Sequence, residues 1–482
     1  MDTPYRRDRE EDEVVVEWWS IIPFGVLLLC IAVLPLIPAT SHIWERNTAK
    51  LAVALACGLP IAIWFIAAGH GADIADAVVE YVQFIMLLLA LFVVSGGIFL
   101  AGDIRATPRN NTVFLSVGGA IASFIGTTGA AMLLIRPLLN TNRERAHKVH
   151  TVVFTIFIVA NCGGLLTPLG DPPLFLGFLR GVPFEWTMGL WPQWLLVNAL
   201  LLATYYALDR RAYARETPEA IRSDDAEQTP LRVRGGVQFL FFALVIVGVA
   251  FVPSIDLHAV QSGTAALVQA VPWRELLFAG VTVLSLALGG RRVRFSLNGF
   301  TWAPILEVAA LFSGIFLAMV PALNYLGQVA PSLPLNRVTL FLFSGGLSSV
   351  LDNAPTYATF FEMAAQLPGD PRIGAAPGVP EAYLVAISLG SVLCGAMTYI
   401  GNGPNFMVKA VADDAGVTAP SFGGYIVWAL RYLAPVLAAM ALIFLVEGAW
   451  WTVAGVAVAV AVLLQAVWIG VRAGKPRGVQ AF

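Results

Sequence analysis

Long apolar stretches separated by short polar ones dominate the chain, and their lengths predict membrane-crossing helices. Apolar spans fall near 20–38, 50–68, 78–101, 151–179 and 190–208, with a further apolar stretch over 111–139 between the third and fourth. A charged interval without apolar periodicity follows at 209–235 and reads as a solvated linker. The pattern then restarts, with spans near 237–253, 275–290, 300–323, 382–412 and 424–447 and an apolar stretch over 337–366 in the matching place. One extra span, 450–471, closes the series.

Two of these spans are interrupted. Residues 161–175 read NCGGLLTPLGDPPLF and residues 392–406 read VLCGAMTYIGNGPNF. An unbroken helix does not accommodate Gly170, Asp171, Pro172 and Pro173 in a row, because proline removes a donor and clashes one turn back. Backbone groups freed inside a membrane must face protein or a polar cavity. A helix broken near its middle, occurring twice, marks the binding site of a secondary transporter.

Composition agrees with the pattern. The 482 residues are 58% hydrophobic and 12% charged, against about 25% charged in soluble domains. The predicted class is an all-α polytopic membrane protein. A formal charge of −2 argues against a nucleic-acid partner. Cys30, Cys57, Cys162 and Cys394 lie in apolar segments without a CxxC pair, so neither a disulfide framework nor a zinc site is expected. The five histidines are scattered at loops and span ends, and no P-loop is present. No cofactor is expected, and a bound sodium ion is the only candidate, with Asp352, Asn353 and Asn402 as its ligands.

The two halves are related in sequence. SGGIFLA at 95–101 matches SGIFLA at 313–318, and VGGAIASFIGTTGA at 117–130 matches SGGLSSVLDNAPTYA at 344–358. The broken segments align Thr167 with Thr398, Gly170 with Gly401, Asp171 with Asn402, Pro173 with Pro404 and Phe175 with Phe406. This divides the chain into a charged tail (1–19), a first repeat (20–208), a cytoplasmic linker (209–235), a second repeat (236–447) and an extra span with a basic tail (448–482).

Basic residues collect on cytoplasmic loops. Arg105 and Arg109 precede the 111–139 stretch, and Arg136, Arg143, Arg145 and Lys148 end or follow it. With both flanks on one side, the stretch reads as a re-entrant hairpin with Gly126, Thr127 and Thr128 at its tip. The second hairpin, 337–366, fits the opposite face. Each repeat then has five crossings, an odd number, so the second is inverted relative to the first. This places the N-terminus outside despite Arg6, Arg7 and Arg9.

Two inverted halves, each with a hairpin and a broken helix, resemble the ion transporter superfamily of divalent-anion/sodium symporters, citrate transporters, arsenite permeases and some sodium/proton antiporters. LDNAPT at 351–356 resembles the second-hairpin motif of antiporter and arsenite members. GDPPLFLGFLRG at 170–181 is similar to a subfamily described both as citrate transporters and as sodium/proton antiporters. The resemblance covers nearly the whole chain and implies a homodimer. Dicarboxylate symporters carry Ser-Asn-Thr at both tips. Here the first tip is Gly126-Thr127-Thr128 and the second is Asp352-Asn353 with Thr356 beyond, which counts against a dicarboxylate.

Asp171 and Asp352 sit near the middle of apolar stretches, where a carboxylate costs about 2.5–3.5 kcal/mol and is usually functional. A carboxyl that trades a proton for a cation is the minimal chemistry of an antiporter. Thr127, Thr128, Thr167, Thr356, Thr398, Asn353, Asn402 and Asn405 offer neutral oxygens, which hard cations prefer. Gly170 and Gly401 let backbone approach an ion. Either acid also suits the N-cap of the half-helix after its break. Glu307, Lys409 and Arg431 read as interfacial groups, Arg136 and Arg180 as membrane edges, and Trp18, Trp19, Trp450 and Trp451 as interfacial belts. A channel or scaffold has no use for breaks in both halves, so a carrier in a bacterial inner membrane is expected. Exchange of a cation such as sodium for protons leads, because the two acids favour a cation and neither tip carries Lys or Arg. Uptake of citrate or another carboxylate with a cation is the alternative, and an oxyanion permease the third.

Overall fold

The computed structural model describes residues 16–226, 228–375 and 378–473. Arg6, Arg7 and Arg9 of the charged tail, and Lys475 and Arg477 of the basic tail, lie outside the described residues. The first half contains α1 (Trp18–Val33), α2 (Asn47–Ala67), α3 (Gly71–Gly96), α4 (Pro108–Ile125), α5 (Thr127–Thr141), α6 (Val149–Leu166), α7 (Pro172–Leu179) and α8 (Trp191–Tyr213). A linker helix, α9 (Pro218–Ala226), follows. The second half contains α10 (Val237–Phe251), α11 (Trp273–Leu288), α12 (Ala303–Ser332), α13 (Arg337–Ser348), α14 (Asn353–Ala365), α15 (Glu381–Met397), α16 (Gly403–Asp414) and α17 (Phe422–Phe444), and α18 (Ala449–Val471) closes the chain. Among the described residues, α2, α3, α6, α12, α17 and α18 are long and apolar enough to cross a membrane. The chain is an all-α polytopic membrane protein.

The broken helices lie at the centre. Residues of α6 are 89% buried, whereas the other long apolar helices are 33–50% buried and keep apolar side chains facing outward. Around this centre, α2 and α12 pack through small residues. A Cβ on Gly314 would lie 2.2 Å from the Ala54 carbonyl, and one on Gly58 would lie 3.1 Å from Gly314 Cα. Close backbone approach through Gly and Ala is how helices associate where lipid removes the hydrophobic drive. Lys50 crosses the same seam to pair with Glu307 at 2.5 Å.

The two halves do not correspond everywhere that their sequences match. SGGIFLA covers the end of α3 and the strand β1 (Phe99–Asp103), whereas SGIFLA lies inside α12. Ser, Gly and apolar residues serve both a helix end and a small-residue helix seam, so this match is one of composition. The helix starts also set the hairpin register. Thr127 begins α5 and Asn353 begins α14, so these two residues correspond, one position away from the sequence alignment.

The linker departs from the expectation of a solvated interval. Strand β2 (Thr229–Arg234) pairs antiparallel with β1, and Asp209, Glu216 and Asp224 are buried. They clamp the foot of the α4–α5 hairpin, where Asn111 and Asn142 exchange amide hydrogen bonds of 2.8 and 3.0 Å. Asp209 accepts from Asn111 (3.0 Å), pairs with Arg145 (2.5 Å) and meets His150 (2.8 Å). Glu216 accepts from the backbone of Ala146 and His147 at 3.0 and 2.9 Å. Asp224 accepts from Ala106 N at 3.1 and 3.0 Å through its two oxygens. Acid-rich composition predicts exposure, but these three acids are matched by donors from the hairpin foot.

Asp224 lies outside the spanning helices, and burial pushes its carboxyl from 3.8 up to about 6. A carboxyl raised on docking favours the docked linker below its free value, and that contribution is lost as pH rises through about 6. Amide exchange at Ala106 is expected to speed up beyond its intrinsic pH dependence between about pH 4 and 6. Asp224→Asn should flatten that extra dependence. Equal pH dependence in both proteins counts against the docking role of Asp224.

Candidate functional site

The two breaks are built alike. In the first, α6 widens into a π turn over Thr155–Val159 and tightens to a 3₁₀ turn over Cys162–Leu166, and α7 starts with Pro172. In the second, α15 ends in a 3₁₀ turn over Cys394–Met397, and α16 starts with Gly403 and Pro404. Proline at the start of each half-helix uses a position whose N–H has no helical partner. At each break the chain folds back on a glycine pair. A Cβ on Gly170 would lie 2.0 Å from the Gly164 carbonyl, and one on Gly401 would lie 2.6 Å from the Gly395 carbonyl.

A Ser–Thr clasp fastens each break to its own hairpin. Ser123 Oγ donates to the Gly163 carbonyl (2.6 Å), the Thr167 hydroxyl donates to the Ser123 carbonyl, and Thr167 Oγ1 accepts from Leu169 N (3.2 Å). In the second half Ser349 Oγ donates to the Cys394 carbonyl (3.1 Å), Thr398 donates to the Ser349 carbonyl, and Thr398 Oγ1 accepts from Ile400 N (3.2 Å). Thr167 and Thr398 thus direct their hydroxyl protons to backbone and hold the breaks in shape.

Four stretches converge on Asp171. Its carboxylate accepts from Thr127 Oγ1 at the first tip (3.0 Å), from Asn353 Nδ2 at the second tip (2.5 Å) and from Asn402 Nδ2 at the second break (3.3 Å). Thr127 also donates its backbone N–H to the Gly170 carbonyl at 2.8 Å. The first turns of α5, α7, α14 and α16 therefore surround one carboxylate, and helix N-termini carry partial positive charge. None of its hydrogen bonds comes from Lys, Arg or His. Asp171 is 1% exposed, so this conformation closes the site. The buried Asn353 Oδ1 beside it has no hydrogen-bond partner among the described residues.

A model of the family described as "Putative citrate transport" matches residues 13–445. The chain belongs to this family. It is a secondary transporter, a carrier rather than an enzyme. No curated protein matches the chain.

The remaining sequence candidates take separate places in this carrier. Asp352 caps α14, accepting from Ala354 N at 3.1 Å, and makes no hydrogen bond to Asp171. Thr356 donates to the Asp352 carbonyl at 3.0 Å. Thr128 is half-buried and faces a small cavity beside α5. Asn405 donates to the Gly395 and Thr398 carbonyls at 2.8 and 2.9 Å. Its Oδ1 accepts from Asn161 at 2.6 Å, and Asn161 in turn accepts from Asn402 at 3.1 Å. Asn161 thus links the two breaks, a role the sequence reading missed. Its signal was an amide deep in an apolar span, two residues before the Gly163–Gly164 pair.

The flanking charges are ordinary ties. Lys409 pairs with Asp413 one turn on at 2.5 Å, and Arg431 lies over the Tyr432 ring. Arg180 bonds the Ala358 carbonyl at 3.2 Å and approaches Glu80 at 3.5 Å, so it joins α7 to α14 and α3 rather than standing free at an edge.

The glycine pairs give a direct test. Gly170→Ala or Gly401→Ala forces two backbones apart and is expected to cost about 1–3 kcal/mol. Gly280→Ala, with nothing within 4 Å of its Cβ, should leave thermal unfolding in detergent unchanged or slightly raised. Equal midpoints for all three variants would remove the constraint claimed for the breaks.

Proposed function

We propose that this carrier moves citrate or a related carboxylate together with a cation across the plasma membrane of a bacterial cell, by alternating access around Asp171. The observation that carries the reading is the set of four half-helix N-termini gathered around one uncompensated carboxylate. Such termini favour anions. Asp171 supplies the opposing charge, so a cation or proton entering with the substrate neutralises what the carboxylate substrate brings. The free Asn353 Oδ1, Asp171 and Thr127 together offer the oxygen donors that a hard cation takes. The family description supports the same substrate class.

A second reading, exchange of a cation for protons, is favoured by Asp171 itself, an acid without a fixed counter-ion. The two readings differ in whether the N-termini receive an anion. In either, the two repeats lie inverted about the site, and opening one tip against its break exposes Asp171 to one side at a time.

In proteoliposomes, labelled citrate uptake should depend on an inward sodium or proton gradient. Asp171→Asn should remove that dependence and lower uptake by at least about tenfold, the loss expected for a charge-assisted network in a closed site. Asp352→Asn should keep at least about a third of the wild-type rate, because Asn caps a helix as well as Asp. Sodium-driven proton movement without citrate uptake would establish the second reading. A severe loss in Asp352→Asn with full activity in Asp171→Asn would reverse the assignment of the coupling acid.

A further inference from the structure

Two cavities lie end to end along α5. The larger, about 600 Å³, is walled by α5, β1 and the end of α16 and takes in Arg136, Arg143 and Lys148. The smaller, about 70 Å³, lies toward the hairpin tip between Thr128, Met132, Phe300 and Met407. Thr128, Met132, Arg136 and Asn140 recur at every fourth position, so they share one face of α5. The first two line the small cavity and the last two the large one. On α16, Met407 lines the small cavity and Val411 the large one in the same way.

Arg136 stands where the two cavities meet. It lines the larger, and its Nη2 lies 3.5 Å from the Cβ position of Gly299, which lines the smaller. The eight residues from Thr128 to Arg136 span about 12 Å of helix, and Thr127, next to Thr128, bonds Asp171. The other cations are occupied. Arg143 pairs with Glu144, and Lys148 donates to the Asn142 and Arg143 carbonyls at 3.0 and 2.9 Å. Asp414 faces the same cavity, and Asp103 lies near Arg143. Arg136 is exposed to the cavity without a hydrogen-bond or ion-pair partner among the described residues.

We propose that these cavities are the path between the face bearing Lys148 and the Asp171 site, and that Arg136 receives the substrate's carboxylate groups along it. A guanidinium matches a carboxylate through two parallel hydrogen bonds. The larger cavity has the size of a small-molecule site, about 300–1,000 Å³. The smaller one does not, so the apolar pinch of Met132, Phe300 and Met407 must part for passage. The same guanidinium opposes a bare cation. The inference rests on the carboxylate reading for its substrate, and its path and charge selection are measured without transport.

The test places Met132→Cys in a background lacking Cys30, Cys57, Cys162 and Cys394 and compares anionic and cationic thiosulfonate reagents of matched size. The anionic reagent should react roughly tenfold faster. Arg136→Gln should abolish that preference and Arg136→Lys should keep it. No reaction at position 132, or a preference indifferent to Arg136→Gln, overturns the path or the charge selection. In proteoliposomes Arg136→Gln should raise the KM for citrate about tenfold with kcat little changed, and Arg136→Lys, which keeps the charge but not the paired hydrogen bonds, should restore part of it. An unchanged KM overturns the role of Arg136 while citrate uptake by the wild type still upholds the carboxylate reading. Anion preference at position 132 without any citrate uptake upholds the path and overturns citrate as its traveller.

Discussion

A carboxylate buried between two halves of a membrane protein without a fixed counter-ion must be surrounded by donors, and Asp171 imposes that condition on everything near it. Its partners come from three other stretches of chain, at Thr127, Asn353 and Asn402. Losing one leaves a buried polar group unpaired at a cost of about 1–3 kcal/mol. Both hairpin tips and both breaks therefore have to meet, and the glycine pairs and Ser–Thr clasps are the means by which they do. Each clasp uses a side chain to satisfy backbone that the break has freed, so the irregular chain stays folded without water or lipid contact.

The repeat is symmetric in shape and asymmetric in chemistry. Gly164 and Gly170 are matched by Gly395 and Gly401, and the Ser123–Thr167 clasp by Ser349–Thr398. The side chains at the centre are not matched, since an acid in one break faces an amide in the other. A second acid in place of Asn402 would bring two like charges within hydrogen-bond distance. The amides at 353 and 402 instead donate to Asp171, and Asn161 and Asn405 extend the contact from one break to the other. One half supplies the charge and the other half most of the groups that stabilise it.

Asp171 is closed off in this conformation, and the proposed carrier cycle requires the parts around it to separate. The first hairpin is anchored at its foot, where Asp209, Glu216 and Asp224 meet Asn111, Arg145 and backbone N–H groups. Its tip is held by Thr127, which bonds Asp171 and the Gly170 carbonyl, and by the Ser123 clasp to the first break. The linker thereby braces the first hairpin, although its composition marks it as a connector.

Much was legible in the sequence because the relevant signals are local. Apolar run length marks the spans, and Pro and Gly in the middle of two of them mark the breaks, since proline acts on the turn before it and glycine on its own backbone. Tip and break residues Thr127, Asp171, Asn353 and Asn402 were all identified in this way. Only the tertiary structure decided which acid sits at the centre. Both Asp171 and Asp352 precede a half-helix, and the sequence reading placed Asp352, not Asp171, among the sodium ligands. In the fold, Asp352 turns back to cap its own helix, while Asp171 reaches Asn353 and Asn402, 182 and 231 residues away. The burial of the linker acids and the place of Arg136 between two cavities were equally beyond sequence, and for Asn161 the sequence marked a buried amide but not its partners. Each depends on partners distant along the chain, and local composition carries no record of which distant donor a side chain will meet.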